Sequence, residues 1–419
     1  MLFNQTRAID YMRRCDLDVL VAASPVNITY FAGFYNWMDP IFKTYMMDPG
    51  APADLQQNYA IFPREGEPEL VVAAGIAANA ADLPVRKLHL YGDASFDRSL
   101  APKAMPNRYE RFLELARTGR THADATKALL HALDASKLRT ARIGLDAEGL
   151  TRPARRALAD ALPKAEVKNC SNLIRLLRAV KTDDEVDRLR RAAQINEEAG
   201  QASLALARPG LSMGQIVQHF RARAAALGAD FDHFQFGIRG TGSATEVDYV
   251  LAEDDVMEID FGCIWRHCFS DTGTTLALKA PDEVLGQRHA ALKAAVAAAT
   301  ECIKPNTLAS QVHAAFSGHL KAHNITTAFP HGHGLGLEVR DYPIIVADNG
   351  RKIRDDCVQL ASDLPLEANM VINLEATIRM PGVGSVHIEH SFVVTEEGCQ
   401  LLVPQRRDIF MAGDGDTVA

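Results

Sequence analysis

Hydrophobic and polar positions alternate most cleanly along Val256–Thr275, VMEIDFGCIWRHCFSDTGTT. Met257, Ile259 and Phe261 fall on one side of an extended chain and Glu258 and Asp260 on the other, the period of a half-buried strand. Gly262 to His267 are expected to turn the chain, with Cys268–Leu276 as the return strand carrying Asp271. Such a hairpin lays Asp260 and Asp271 side by side on its polar face. Upstream, the apolar run Leu17–Ala23 predicts a buried strand. Tyr59–Pro63 and Glu69–Ala73 predict two more, joined by the turn REGEP. Strands at Leu88–Tyr91, Ala141–Leu145 and Val167–Cys170 alternate with helices near 104–115, 123–133 and 152–161. This is the pattern of an α/β domain over residues 1–170.

Residues 171–419 read differently. In Lys181-Thr-Asp-Asp-Glu185, Thr182 and Glu185 have the spacing of a capping box, and Asp183 and Asp184 suit a helix N-terminus. That helix is expected to run to about Leu206, before Pro209-Gly210, and a second to cover Ser212–Leu227. Strands follow at Phe234–Ile238 and in the hairpin. The order then recurs: helices Asp282–Ile303 and Leu308–His323, then strands Met370–Ile378 and Val386–Thr395. Two helices followed by antiparallel strands, twice, indicate a pseudo-duplicated α+β domain. The tail after Arg406 reads as a loose end. The segment from Tyr35 to Gln57, rich in aromatic and Met residues, is a long irregular loop. Its Tyr35, Trp37, Met46 and Met47 are candidates to cover a pocket.

Composition narrows the class. The 419 residues are 47% hydrophobic and 23% charged, as in an ordinary globular protein, with a net charge of −8 that argues against nucleic acid as a partner. No apolar run reaches membrane-spanning length, and the N-terminus has no apolar stretch of the signal-peptide kind. The seven cysteines are an odd number without a CxxC pair, which suits reduced thiols and a cytoplasmic location. Cys263 and Cys268, beside the hairpin turn, are expected to be small buried apolar residues rather than ligands.

Three more segments carry chemistry. His331-Gly-His-Gly-Leu-Gly336 is a glycine-spaced loop presenting two imidazoles. Glu375 sits among apolar neighbours in a strand. Glu389 shares its side of Val386–Val394 with His387. Asp260, Asp271, Glu375 and Glu389 from strands and His333 from the loop form a carboxylate-rich set with one imidazole, suited to Mn, Co, Fe or Zn. Four carboxylates carry about −4, and two divalent ions balance them; without cations the acids repel and take up protons. Two ions roughly 3.5–4 Å apart acidify a shared water.

The set, in the stretches EIDFG…SDTGTT, HGHGLGLEV, NLEATI and VHIEHSFVVTEEG, resembles the pita-bread metallopeptidase superfamily of aminopeptidase P, prolidase and creatinase. VAASPVNITYFAGF and VKTDDEVDRLRRAA extend the resemblance over most of the chain. It implies a creatinase-type N-terminal domain before a pita-bread catalytic domain and a homodimer. It also implies two metal ions, manganese first among the candidates. Asp271 and Glu389 would bridge them, Asp260 would complete one shell, and His333 and Glu375 the other. Glu375 would also take the proton of the attacking water.

The surrounding residues depart from the peptidase pattern. Ser243 and Phe329 stand where the peptidases carry histidines, with His331 displaced nearby. Arg340 replaces a further histidine and His387 an arginine. His331 and Arg340 are candidate catalytic residues, and His387, Ser243 and Trp37 candidate substrate contacts. Arg340 suits a substrate carboxylate, or else pairs with Asp341 at the surface. The expected activity is a metal-dependent hydrolase resembling Xaa-Pro peptidases, cleaving a C–N bond of a dipeptide or other small molecule. The alternatives are a non-peptidase acting on a creatine-like or sulfonio compound, as a creatinase or a dimethylsulfoniopropionate lyase does, and a catalytically idle binding protein.

Overall fold

The computed structural model describes residues 2–36, 43–46, 49–50, 56–93, 110, 113–114, 121–325, 331–404 and 409–412. The expected helix at 104–115 therefore lies almost wholly outside the described residues, as do Trp37, Met47 and Phe329. The chain divides into two compact units. One is Met1–Arg178 with Ile353–Leu360, the other Ala179–Lys352 with Ala361–Ala419. The sequence reading drew its division at 170.

The first unit is built on a seven-stranded sheet: β1 (Val19–Ala22), β2 (Tyr59–Pro63), β3 (Glu69–Ala73), β4 (Leu88–Tyr91), β5 (Thr121–His122), β6 (Arg142–Leu145) and β7 (Glu166–Asn169). Their order in the sheet is β5-β4-β3-β2-β1-β6-β7. β1, β2 and β3 are fully buried, so they read as unbroken apolar runs rather than alternating ones. The amphipathic helices Ala125–Ala135 and Arg152–Ala161 bring Leu129, Leu133 and Leu158 onto Val21, Ile143 and Leu145.

The second unit opens on the helix Asp183–Leu204, and its capping box is formed: Glu185 N–H donates to Thr182 Oγ1 at 3.2 Å and Thr182 N–H to Glu185 Oε2 at 2.9 Å. After the helix Met213–Ala226 come β8 (Asp230–Gly237), β9 (Ser243–Ala244), β10 (Val256–Trp265) and β11 (Cys268–Ala277). The helices Glu283–Glu301 and Ala309–Ala322 follow, then β12 (His331–Gly334) and β13 (Asp341–Ile345). A separate two-stranded ribbon, which apart from its end residues Lys352 and Ala361 belongs to the first unit, pairs β14 (Lys352–Arg354) with β15 (Gln359–Ala361). β16 (Val371–Met380), β17 (Gly384–Val394), β18 (Cys399–Leu401) and β19 (Ile409–Met411) complete the chain. The main sheet runs β13-β12-β16-β17-β11-β10-β8-β9, two four-stranded halves meeting at β17 and β11. The helices cover its apolar face: Ile195, Ala199 and Phe220 pack on Met257, Ile259 and Phe261, and Leu292, Val312 and Phe316 on Ile372, Leu374 and Ile388. The acids are left on the other face. No helix among the described residues is long and apolar enough to cross a membrane.

Three local expectations change. The first hairpin turns only at Arg266 and His267, both at positive φ (47° and 72°), and β10 runs on to Trp265. A two-residue turn with both φ values positive matches the twist of a strand pair, which a two-residue turn of the mirror-image type would splay. HGHG is a strand rather than a loop, because β13 and β16 pair with its backbone on both sides. The tail also carries a strand, β19, which lies parallel to β11 with Phe410 buried.

Candidate metal centre

Strand register arranges the polar side chains in rows across the sheet. One row runs Gln235, Asp260, Gly273, Glu389, Glu375 and His331 on β8, β10, β11, β17, β16 and β12. In the next row His233 faces Gly262, which faces Asp271. In the second half His333 faces Asn373, which faces Ser391. Asp260 and Asp271 are thus diagonal neighbours rather than directly opposite, while Glu375 and Glu389 are directly opposite. All five residues of the expected set converge. Four of them, with His233 and His387 from outside the set, fall into three groups of ligand atoms, each within 4.8 Å: His233, Asp260 and Asp271; Asp260, His387 and Glu389; Asp271, His333 and Glu389. Glu375 is in none of the three and joins the set beside His333. His333 Nε2 lies 3.6 Å from Asp271 Oδ2 and 3.8 Å from Glu375 Oε1.

His233 is the member that the sequence reading missed. The expected strand starts at Phe234 and leaves His233 out, whereas β8 starts at Asp230. The signal was the alternation His-Phe-Gln-Phe, which sets His233 and Gln235 on the polar face and buries Phe234 and Phe236. His233 Nε2 stands 2.9 Å from Asp260 Oδ1 and 3.3 Å from Asp271 Oδ1, and its Nδ1 is 2.8 Å from Asp232 Oδ2. Gln235 Nε2 donates to Asp260 Oδ2 at 3.1 Å. Gly262 leaves room for this ring, since a Cβ there would come within 2.5 Å of His233 Cε1.

Glu389 is buried and accepts from Asn373 Nδ2 at 2.8 Å; the same amide reaches the Asp271 carbonyl at 3.3 Å. His387 Nε2 is 3.2 Å from Glu389 Oε2, with its Nδ1 held by the Ala376 carbonyl and Thr377 Oγ1. The ring lies against Gly273, where a Cβ would stand 2.0 Å from Nε2. Arg340 pairs with Glu375, its Nη2 donating to Glu375 Oε1 at 2.6 Å, and Asp341 is buried, accepting from Tyr342 N–H. Ser243 donates to the buried Glu258 at 2.6 Å, and Arg379 binds both. His331 is placed by its backbone opposite Glu375. Cys263 and Cys268 are buried free thiols, with burial pushing them up to about 11 and about 12.

The electrostatics follow from this crowding. Burial and the Asp260 charge push Asp271 up to about 6, against the downward pull of His233. Burial, then the charges of Asp271, Asp260 and Glu375, hold Glu389 well above the ordinary carboxyl range. Burial would also raise Asp260, but the hydrogen bond and charge of His233 keep it low. Burial works against a charged His233, and its bonds to Asp232, Asp260 and Asp271 outweigh it, holding the imidazole well above its usual range. Buried acids with imidazoles on either side form a donor set that fits divalent cations.

Known proteins place this arrangement. The model of metallopeptidase family M24 matches residues 187–396, and that of the creatinase/prolidase N-terminal domain matches 5–180. The uncharacterized peptidase YqhT of Bacillus subtilis is 26% identical over 278 residues, covering 64% of this chain and 75% of that protein. The Pyrococcus horikoshii prolidase superposes with a TM-score of 0.71 at 19% identity, covering 97% of this chain and 99% of that one. The Xaa-Pro dipeptidase from Bacillus anthracis gives 0.69 at 20% identity, covering 97% and 100%. The likeness to these structures shows the shared fold, and the family match covers half the chain on its own. This chain belongs to metallopeptidase family M24, with a creatinase/prolidase N-terminal domain ahead of the peptidase domain.

Proposed function

We propose that the chain is a two-metal hydrolase that opens a C–N bond of a small substrate carrying a carboxylate, with Xaa-Pro dipeptides the first class to test. The observation that carries this reading is the convergence of Asp260, Asp271, His333, Glu375 and Glu389 on one polar sheet face. Members of the family generally bind divalent metals. Asp271 offers an oxygen to each side of the cluster, Glu389 lies beside it, and Asp260 and the pair His333 and Glu375 complete the two sides. Bound there, two divalent ions supply Lewis acidity and an acidified water at neutral pH.

The chain's own residues do the rest. Glu375 has one oxygen held by Arg340, and its other oxygen takes the proton of the attacking water. Arg340 is half exposed, so its guanidinium can turn from Glu375 to a substrate carboxylate, which its fork can hold in a bidentate manner. His387, fixed at Nδ1, presents Nε2 beside Glu389, where it contacts substrate or holds that carboxylate in place. The homodimer, the cytoplasmic location and manganese as the resident ion belong to this reading.

A second reading keeps the metals and replaces the peptide by another small C–N or sulfonio compound. What favours it is that Ser243, at the peptidases' histidine position, is tied to Glu258 and Arg379. Metal analysis of the purified protein, then a panel of Xaa-Pro dipeptides against small amidines, lactams and sulfonio acids with each candidate ion, separates the two. Full activity in metal-free protein would end both.

A further inference from the structure

The two halves of the main sheet present histidines in comparable places. β8 flanks the β10/β11 hairpin and β12 flanks the β16/β17 pair, each one strand outside its half's acids. His333 stands on β12 and His233 on β8. The oxygens of Asp271 face them separately: Oδ1 lies 3.3 Å from His233 Nε2, and Oδ2 lies 3.6 Å from His333 Nε2. Donors about 2.0–2.2 Å from a common ion stand roughly 3.0–3.5 Å apart at the angles of octahedral or tetrahedral sites. The spacings of His233 Nε2 to Asp260 and Asp271 lie at that scale. Its other nitrogen is held by Asp232, the carboxylate partner that fixes ring orientation for metal-binding histidines.

We infer that His233 is a metal ligand, giving the ion on the Asp260 side an imidazole of its own as His333 does on the other side. This rests on the two-metal reading above and adds a sixth ligand to it. Its chemical consequence is a shift in preference. An added nitrogen donor moves a carboxylate-rich site from manganese toward cobalt and zinc.

The test is calorimetric titration of metal-stripped protein with Mn(II) and with Zn(II), with bound metal counted by elemental analysis. Wild type is expected to bind two ions. His233→Asn should weaken one of them by 10–100-fold or more and leave the other within about threefold. It should also reduce the preference for zinc over manganese at the weakened site. Asp232→Asn should weaken that same site by about tenfold, and it decides the matter if the His233 variant does not fold. Two unchanged affinities in both variants, or equal weakening of both ions, would overturn the inference while leaving the two-metal reading intact, with His233 a hydrogen-bond partner of Asp260. A wild-type protein that binds fewer than two ions overturns both.

Discussion

The two strand pairs that supply the acids solve one electrostatic problem in different ways. In the first, Asp260 and Asp271 are offset by two positions, and β8 sends His233 and Gln235 between and beside them. Asp260 stays low because a positive ring is hydrogen-bonded to it. In the second, Glu375 and Glu389 are directly opposite, an unfavourable placement for like charges. Arg340 attends Glu375 from the half-exposed side, and the buried Glu389 is driven toward protonation. The first pair carries its own counter-charge; the second relies on charge from outside. The two sides of one site thus differ in how much of their charge the chain itself offsets.

The comparison breaks first at the shared ligands. Asp271→Asn and Glu389→Gln are each expected to lower turnover by on the order of 10³-fold, since a bound metal supplies several kcal/mol at 1.36 kcal/mol per tenfold. Steady-state assays alongside metal counting check this, and normal turnover in either variant would sink the assignment.

Next comes pH. In metal-stripped protein Asp271 sits at about 6, raised from an ordinary value near 3.8. The folded state therefore holds a proton more tightly than the unfolded chain. That contribution is full below about 3.8 and is lost as pH rises through about 6. Cation binding requires the deprotonated acids, so the metal-dependent gain in melting temperature should grow over the same interval. Calorimetric melting between pH 4.5 and 7.5, with and without saturating metal, reads both trends.

A smaller effect separates the pairs directly. Without metal, Glu389→Gln is expected to raise stability by about 1 kcal/mol near neutral pH, by removing a buried carboxyl that must take up a proton or repel its neighbours. Asp260→Asn should lower it by about 1–3 kcal/mol, by depriving His233 of a partner. Urea unfolding of the stripped variants measures the pair, and equal signs would erase the contrast. Arg340→Ala should change stability by less than about 1 kcal/mol, its ion pair being half exposed, and should act mainly on KM for carboxylate substrates.

How much of this was legible in the sequence depended on the range of the interaction. The alternation Met257, Ile259, Phe261 fixed which side of β10 the acids take, because strand period is local. The four acids and one imidazole were readable for the same reason, each lying in its own patterned segment. The diagonal offset of Asp260 and Asp271 was not, because register follows from turn length, and the turn was expected over Gly262–His267. His233 was overlooked because its meaning depends on a glycine 29 positions away in the chain, Gly262, leaving space for its ring. Gly262 reads as a breaker in sequence and acts as a vacated position in the sheet. The bond from Arg340 across to Glu375 was not legible either, because it spans 35 positions of the chain.

The tight bend at Arg266 and His267 makes the hairpin a ruler without slack. Side chains on a strand alternate faces, so inserting or deleting a single residue there would carry Asp271 through the sheet into the apolar layer beneath the helices. The number of residues in the bend, more than their identity within the limits of positive φ, thus decides which face of the sheet Asp271 takes.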